Sequence, residues 1–264
     1  MKIYFDHILG KITDQQIFYS PATALFEQDE YEYAIQNGWH VAESWDVKDF
    51  DWYNRQIKDK QVWYQARSTR IKMSDFHERA RHRKKIKKAG ITCEYITDVS
   101  NYIDELWSVF KKYIEAKKFI NFYNSKEDLF DGCHNKRNYL IYRNKLEKII
   151  GFSIVEIISS SVAIAPQFAW DYEDPSIGLG SLNKFFQARL LKSNNVSHLY
   201  LGVSYEKSAI SKSKWPGFEW WNGRYWSDNV EIYKKLLNSD TNTESLKEIE
   251  LIQNEYYSNY EDKI

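Results

Sequence analysis

Cysteine is nearly absent from this chain. Cys93 and Cys133 are the only two among 264 residues, far apart and outside any CxxC. Neither a disulfide framework nor a cysteine-built zinc site is expected. His7, His40, His77, His82, His134 and His198 are scattered, with no HxH or HExxH spacing, so the usual histidine metal sites are not expected either. No run of about 18 apolar residues occurs, and no membrane span is expected. The start, MKIYFDHILG, carries Asp6 and His7 where a signal peptide needs an apolar core; the expected compartment is the cytoplasm. Internal repeats, low-complexity tracts and any arguable Ser-His-Asp arrangement are missing as well. Net charge is also lacking: Lys and Arg total 37, and Asp and Glu total 37. That balance argues against a packaging protein for nucleic acid, but it leaves room for a local basic patch.

Apolar side chains make up 43% of the residues, enough to bury a core as one large domain or two small ones. Aromatic residues reach 17%, with 10 Trp and 20 Tyr; they suit base stacking, peptide grooves and cores alike. The charge is unevenly spread. Residues 27–51 hold eight acids against the single base Lys48. Residues 79–88 hold seven bases (Arg79, Arg81, Arg83, Lys84, Lys85, Lys87 and Lys88) and no acid. Such asymmetry is a statement about partners.

Hydrophobic periodicity gives a coarse map. DEYEYAIQNGW reads as a short helix stopped at Asn37-Gly38. QVWYQARSTRIKM reads as one strand, and Ser74 as the N-cap of the basic helix that ends at Gly90. Leu106, Val109, Phe110, Tyr113 and Ile114 mark an amphipathic helix. A loop with a short helix follows over 125–137. NYLIYR, KIIGFSIVEII and VAIAPQFAW read as a three-stranded meander. Then come WDYEDPSIGLG, the helix SLNKFFQARLLKSN with Leu182, Phe185, Phe186 and Leu190 on one face, and the strand VSHLYLGVSY. Strand, helix and parallel strand in that order frame a ligand site at strand ends. Beyond Tyr205 the aromatic and basic run EKSAISKSKWPGFEWWNGRYWSD reads as a functional loop. VEIYKKLL reads as a short helix before a polar tail. The expected division is an N-terminal region over 1–90 with the basic helix, a transferase domain over 91–237 and a tail over 238–264.

Three features carry chemistry. Gly178 and Gly180, with Ser181 at the helix start, offer backbone N–H groups to an anion at the positive helix end. Asn183 stands where a Rossmann fingerprint needs Gly, and no Gly-Lys-Ser/Thr follows for a P-loop. A glycine turn without ligand fits the same residues. In the basic helix Arg79, Arg83 and Lys87 share a face at i, i+4 and i+8, and only Ala80 and Ile86 are apolar. A phosphate backbone would offset the repulsion among its cations; so would the acidic segment at 27–51. In the third feature Lys207, Lys212, Lys214 and Arg224 stand among Trp215, Phe218, Trp220, Trp221, Tyr225 and Trp226. That mixture suits bases or peptides, and equally a loop folded over the core.

The strand, Gly-x-Gly, helix and strand layout resembles the centre of the GNAT acyltransferase fold. The implied architecture is α+β, a mixed central sheet flanked by helices with a smaller N-terminal region. Members that use CoA carry Gln/Arg-x-x-Gly-x-Gly/Ala. Here the register reads Pro175-Ser176-Ile177-Gly178-Leu179-Gly180, with Glu173 and Asp174 beside it, which is unfavourable for a pyrophosphate. Four segments in order resemble the aminoacyl-tRNA–protein transferases, the arginyl- and leucyl-transferases of the N-degron pathway. They are DEYEYAIQNGW; RSTRIKMSDFHERARHRKK, through Ser74, Arg79 and Arg83; WDYEDPSIGLGSLNKFFQARLL, through Tyr172, Asp174, Pro175 and 178–182; and HLYLGVSYEKSAISKSKWPGFEWWNGRYW, through Tyr200, Leu201, Gly202, Lys214, Phe218, Gly223 and Trp226. The family's N-terminal cysteine cluster is replaced by QIKDKQVWY, which removes its iron–sulfur or zinc site and leaves the acceptor open.

The resemblance implies transfer of an amino acid from charged tRNA to an acceptor amine, a protein or peptide N-terminus, with no cofactor beyond the aminoacyl-tRNA co-substrate. It implies catalytic roles among Asp171, Asp174, Tyr172 and Tyr205. Substrate binding falls to Arg67, Arg79, Arg83, Lys87, Gly178, Gly180, Ser181, Lys214, Trp221 and Arg224. A CoA-dependent N-acyltransferase and a non-catalytic RNA- or peptide-binding protein are the alternatives. The sequence sets no oligomeric state.

Overall fold

The computed structural model describes residues 2–4, 8–13, 16–20, 23–41, 61–78, 80–119, 123–130, 137–205 and 207–240. Arg79, Cys133, residues 42–60 (which include 42–51 of the acidic stretch 27–51) and the tail beyond 240 lie outside them. In chain order the elements are β1 (Lys2–Tyr4), β2 (Ile8–Thr13), β3 (Gln16–Ser20), β4 (Thr23–Phe26), α1 (Tyr31–Gln36), β5 (Trp39–Val41), β6 (Gln61–Gln65), β7 (Ser68–Lys72), α2 (Ala80–Ala89), β8 (Thr92–Ile96), α3 (Ile103–Lys117), α4 (Lys126–Phe130), β9 (Arg137–Arg143), β10 (Ile149–Ile157), β11 (Val162–Trp170), α5 (Leu179–Ser193), β12 (His198–Val203), β13 (Phe218–Trp221), β14 (Trp226–Ser227) and α6 (Val230–Asp240). The chain divides into two units: Met1–Thr69 with Val203–Ile264, and Arg70–Gly202. Among the described residues no helix is long and apolar enough to cross a membrane.

The second unit is a mixed sheet flanked by helices, the α+β layout expected from the sequence. Its strands run in the order β7, β12, β11, β10, β9, β8. β8 to β11 form an antiparallel meander. β11 and β12 are parallel, joined by α5 as a crossover, with Val162, Ala163 and Ile164 opposite His198, Leu199 and Tyr200. On one face, Phe152, Ile154 and Ala169 pack with Leu106, Val109 and Phe110 of α3. Each such large side chain contributes about 1.5–3 kcal/mol through burial. Lys118, in the left-handed region at φ 55°, ends α3 by donating to the carbonyls of Ile114 and Glu115. Gly151, next to Phe152 and so on the opposite face, lies under α5: a Cβ there would come within 2.8 Å of Leu179 Cδ2. The two helices therefore cover opposite faces of the meander.

The first unit holds a four-stranded sheet in the order β1, β4, β6, β5 and a separate β2–β3 pair. Trp63 is fully buried, edge-on to Phe26 and Tyr31. The β13–β14 hairpin and α6 share a second core of Ala209, Phe218, Trp220, Tyr233, Leu236 and Leu237.

Two sequence expectations need correction. QVWYQARSTRIKM is not one strand; it breaks between β6 and β7 at Ala66–Arg67. Ser68 N–H turns back to the carbonyl of Ala66 at 2.8 Å, and Arg67 points inward to pair with the buried Asp240. Ser74 is not the N-cap of the basic helix. It sits in a turn closed by Asp75 N–H on the Lys72 carbonyl at 3.2 Å, and its hydroxyl donates to the Asp75 carboxylate at 2.8 Å. The helix is described only from Ala80, so Ser74 stands six residues before it, too far to accept from its first N–H groups.

Candidate active site at the strand–helix junction

The ladder between β10 and β11 runs out at Asp171, whose N–H reaches the Ile150 carbonyl at 2.7 Å. Asp171 is buried, and its Oδ1 accepts the Glu173 N–H at 3.1 Å. Its Oδ2 accepts Lys148 Nζ at 3.3 Å, with Lys112 Nζ at 3.8 Å. Lys112 also pairs with Glu173 at 2.9 Å. That hydrogen bond, with the charges of Asp171 and Glu173, raises the Lys112 pKa. Lys117 Nζ lies 4.5 Å above the Tyr172 ring and 3.4 Å from its hydroxyl. Of the two acids unfavourable to a phosphate, Glu173 is thus held, together with Asp171, by lysines from α3 and from the β9–β10 turn.

Asp174 caps the next turn, accepting the Ser176 N–H at 3.0 Å and its hydroxyl at 2.5 Å. Pro175 starts that 3-10 turn, where its missing N–H is harmless. Gly178 follows at φ 64°, a conformation that favours glycine, and α5 begins at Leu179 without a side-chain cap. The N–H groups of Leu179 and Gly180 meet no acceptor among the described residues. A Cβ on Gly180 would meet only Trp170 Nε1 at 3.8 Å and Phe168 Cε1 at 4.0 Å. Trp170 is buried to 4% exposure, edge-on to Tyr172 at 4.8 Å. Its indole nitrogen lies beside the first turn of α5.

The basic helix reaches the same place. Lys85 Nζ lies 3.4 Å from Ser181 Oγ, and 2.8 Å from where a Gly178 Cβ would stand. Ser181 Oγ donates to the Gly178 carbonyl at 2.9 Å, so it accepts from Lys85. α2 is anchored by buried Ile86 and by His82 against Phe185, 4.4 Å between ring centres. Arg81, Arg83, Lys84, Lys85, Lys87 and Lys88 are all exposed. None of these six forms an ion pair with a carboxylate among the described residues. The nearby acid Glu78 is taken by Arg189 at 2.7 Å, and Arg83 donates to the Glu78 carbonyl at 3.0 Å.

On its other side β11 opens. Pairing with β12 stops at Ile164 and Tyr200, and residues 164–168 are partly exposed, Pro166 most of all. A side chain at Gly202, near the end of β12, would find nothing within 4 Å.

The remaining sequence candidates lie in the first unit. Tyr205 and Arg67 are both buried. The Arg67 N–H donates to the Tyr205 hydroxyl at 2.9 Å, and its guanidinium stacks 4.8 Å from the ring centre. It pairs with Asp240 at the end of α6. Burial opposes the charge on Arg67, but Asp240 and Tyr205 outweigh it and raise its pKa. Trp221 is buried against Gly38 and edge-on to Trp226 at 5.5 Å. Trp220 is buried too, its indole N–H on the Asn229 carbonyl at 3.1 Å. Three of the six aromatics of this run, Phe218, Trp220 and Trp221, are therefore core, and Tyr225 is exposed. Lys214 and Arg224 are exposed. Arg79 lies outside the described residues.

The fold thus gathers Asp171, Tyr172, Asp174, Gly178, Gly180, Ser181 and the basic helix in one unit, and Arg67, Tyr205, Lys214, Trp221 and Arg224 in the other. Sequence reasoning missed Lys112, Lys117, Lys148 and Trp170. Only Trp170 carried a usable signal, as the last residue of its strand. Among the described residues no cluster of His, Cys, Asp and Glu could hold a metal.

No family model matches the chain, and no curated protein does. Among solved structures it is similar to the C-terminal domain of a putative lysylphosphatidylglycerol synthetase from Agrobacterium fabrum, at 11% identity and TM-score 0.43, over 68% of this chain and 52% of that one. L-PGS from Bacillus licheniformis is similar at 11% identity and TM-score 0.43, over 80% and 63%. A GCN5-related N-acetyltransferase from Kribbella flavida is similar at 10% and 0.36, over 68% and 57%. The chain thus spans between half and two thirds of the length of these structures.

Proposed function

We propose that the protein is an aminoacyl-tRNA-dependent transferase that moves an amino acid from charged tRNA to an acceptor amine. One observation carries this reading: the cations of α2, which have no carboxylate partner among the described residues, lead through Lys85 to N–H groups at the start of α5 that meet no acceptor among those residues. A cation held at the positive end of a helix is unfavourable unless an anion joins it. A row of such cations beyond it suits a polyanion whose end enters the junction.

In this reading Lys85, the Leu179 and Gly180 N–H groups and Trp170 Nε1 hold the terminal phosphate. Arg83 and Lys87, with Arg79 on the same face by spacing, hold phosphates of the acceptor stem. The acceptor ammonium pairs with Asp171 in exchange for a lysine and loses a proton there. Its nitrogen then attacks the ester carbonyl. A C–N bond forms, the C–O bond to the ribose breaks, and the ribose oxygen takes a proton. Tyr172, its hydroxyl beside Lys117, stands ready to deliver that proton. Asp174 acts by shaping the turn, and Arg67 and Tyr205 act as struts within their own unit. The finer form of the proposal is an arginyl- or leucyl-transferase-like enzyme acting on protein N-termini in the cytoplasm.

The test is to incubate the protein with labelled aminoacyl-tRNAs and candidate amines. Label should move to the amine and be lost on prior RNase treatment. The Arg79→Ala, Arg83→Ala double variant should weaken tRNA binding and lower its salt slope by about two. Unchanged affinity would remove α2 from the site. Heat of acetyl-CoA binding without tRNA-dependent transfer would favour a CoA-dependent N-acyltransferase instead.

A further inference from the structure

Among the described residues no strand pairs with β11 beyond Ile164 on the β12 side, and the edge left there has a definite hydrogen-bonding pattern. Asp171 bonds to Ile150, and the register pairs Ala169 with Phe152 and Gln167 with Ile154. In an antiparallel ladder the bonded residues alternate. Residues 171, 169 and 167 therefore turn their backbone groups toward β10, and Phe168 and Trp170 turn theirs the other way. β12 does not meet them, because its pairing has ended at Ile164. The Phe168 carbonyl is met instead by the side-chain amide of Gln167, which donates to it at 3.1 Å. A primary amide lying on a strand carbonyl occupies the place of a peptide N–H. The edge ends at Trp170, next to the Asp171 carboxylate.

We propose that an extended peptide adds to this edge as a strand antiparallel to β11, bonding the backbone of Phe168 and Trp170 in place of the Gln167 amide. Its α-amine then arrives beside Asp171. The inference rests on the amine-acceptor reading above and deepens it: the acceptor is a peptide N-terminus held by its backbone, not a small amine. Backbone pairing gives affinity without demanding a sequence. Strand spacing fixes the register. With the first peptide residue opposite Trp170, the third lies opposite Phe168 and exchanges two hydrogen bonds with it, while the N–H of the second points away.

The experiment uses the full chain and penta-alanine with a free amine. Backbone amide exchange followed by NMR should slow at Phe168 and Trp170 when the peptide is added. N-methylation at the third alanine should weaken binding by about ten-fold, the loss of one to two hydrogen bonds. N-methylation at the second should leave it unchanged. Gln167→Ala should bind the unmodified peptide more tightly, since the competing amide is gone. No protection, equal loss at both methylated positions, or protection that depends on protein concentration and not on peptide would overturn the proposal. Two further outcomes separate it from the transferase reading. Protection without label transfer from any charged tRNA keeps the edge and removes the transferase. Equal transfer to alanine amide and penta-alanine, without protection, does the reverse.

Discussion

The proposed function rests most heavily on Lys85. Seven bases in ten residues advertise a cationic helix, but nothing in their spacing singles out position 85. Only the packing of α2 beside α5 brings that ammonium to the Gly178–Ser181 turn. The prediction has opposite signs in two assays. Lys85→Met should raise thermal stability in the absence of anions, by about 0.3–1 kcal/mol, because a cation leaves the positive helix end. The same change should weaken charged-tRNA binding. A variant that loses both stability and binding would mean that Lys85 serves packing alone. Trp170 illustrates the same limit at the level of one side chain. Its place at the end of a strand was legible, but the nearness of its indole nitrogen to the first turn of α5 depends on that helix lying over Gly151.

At the scale of elements, periodicity was a good guide wherever one face met a core. α3 follows from Leu106, Val109 and Phe110, all buried as their spacing requires, and β9 to β11 follow from short apolar runs between turn residues. The misreadings arose where a polar side chain took over. Arg67 breaks a strand because its charge is drawn to Asp240, 173 residues further along, a separation no local pattern reveals. Removing one partner of a buried pair strands the other. Arg67→Met alone should therefore cost about 3–5 kcal/mol in chemical denaturation, while Arg67→Met with Asp240→Leu should recover most of it. An additive loss in the double variant would show that packing, not charge, holds the end of α6.

At the scale of the molecule, residues before 70 and after 202 belong to one unit, and the residues between form the other. Deleting 203–264 would remove β13, β14, α6 and the partner of Arg67 together. The remaining first-unit segment should then lose its tryptophan near-UV signal and become protease-sensitive, and native-like Trp63 fluorescence in that truncation would contradict the division. The sequence alone, read from the N-terminus, suggested a simple succession of regions, because composition changes along the chain carry no information about which distant segments pack together.

What the sequence determined by itself is whatever short-range physics can specify. That includes the alternation that makes the meander, the glycines that turn β11 into α5, the density of cations in α2, and the strand, helix and parallel strand that frame a site. Those features depend on neighbours a few residues apart. The tertiary structure alone decided which charges are spoken for. The acids at 171 and 173 are held by lysines from α3 and from the β9–β10 turn; among the described residues the cations of α2 have no carboxylate partner beside the start of α5, and the pairing of β11 with β12 stops after three pairs. Electrostatic pairing and strand closure act across the fold, between groups that only folding brings within a few ångströms of one another.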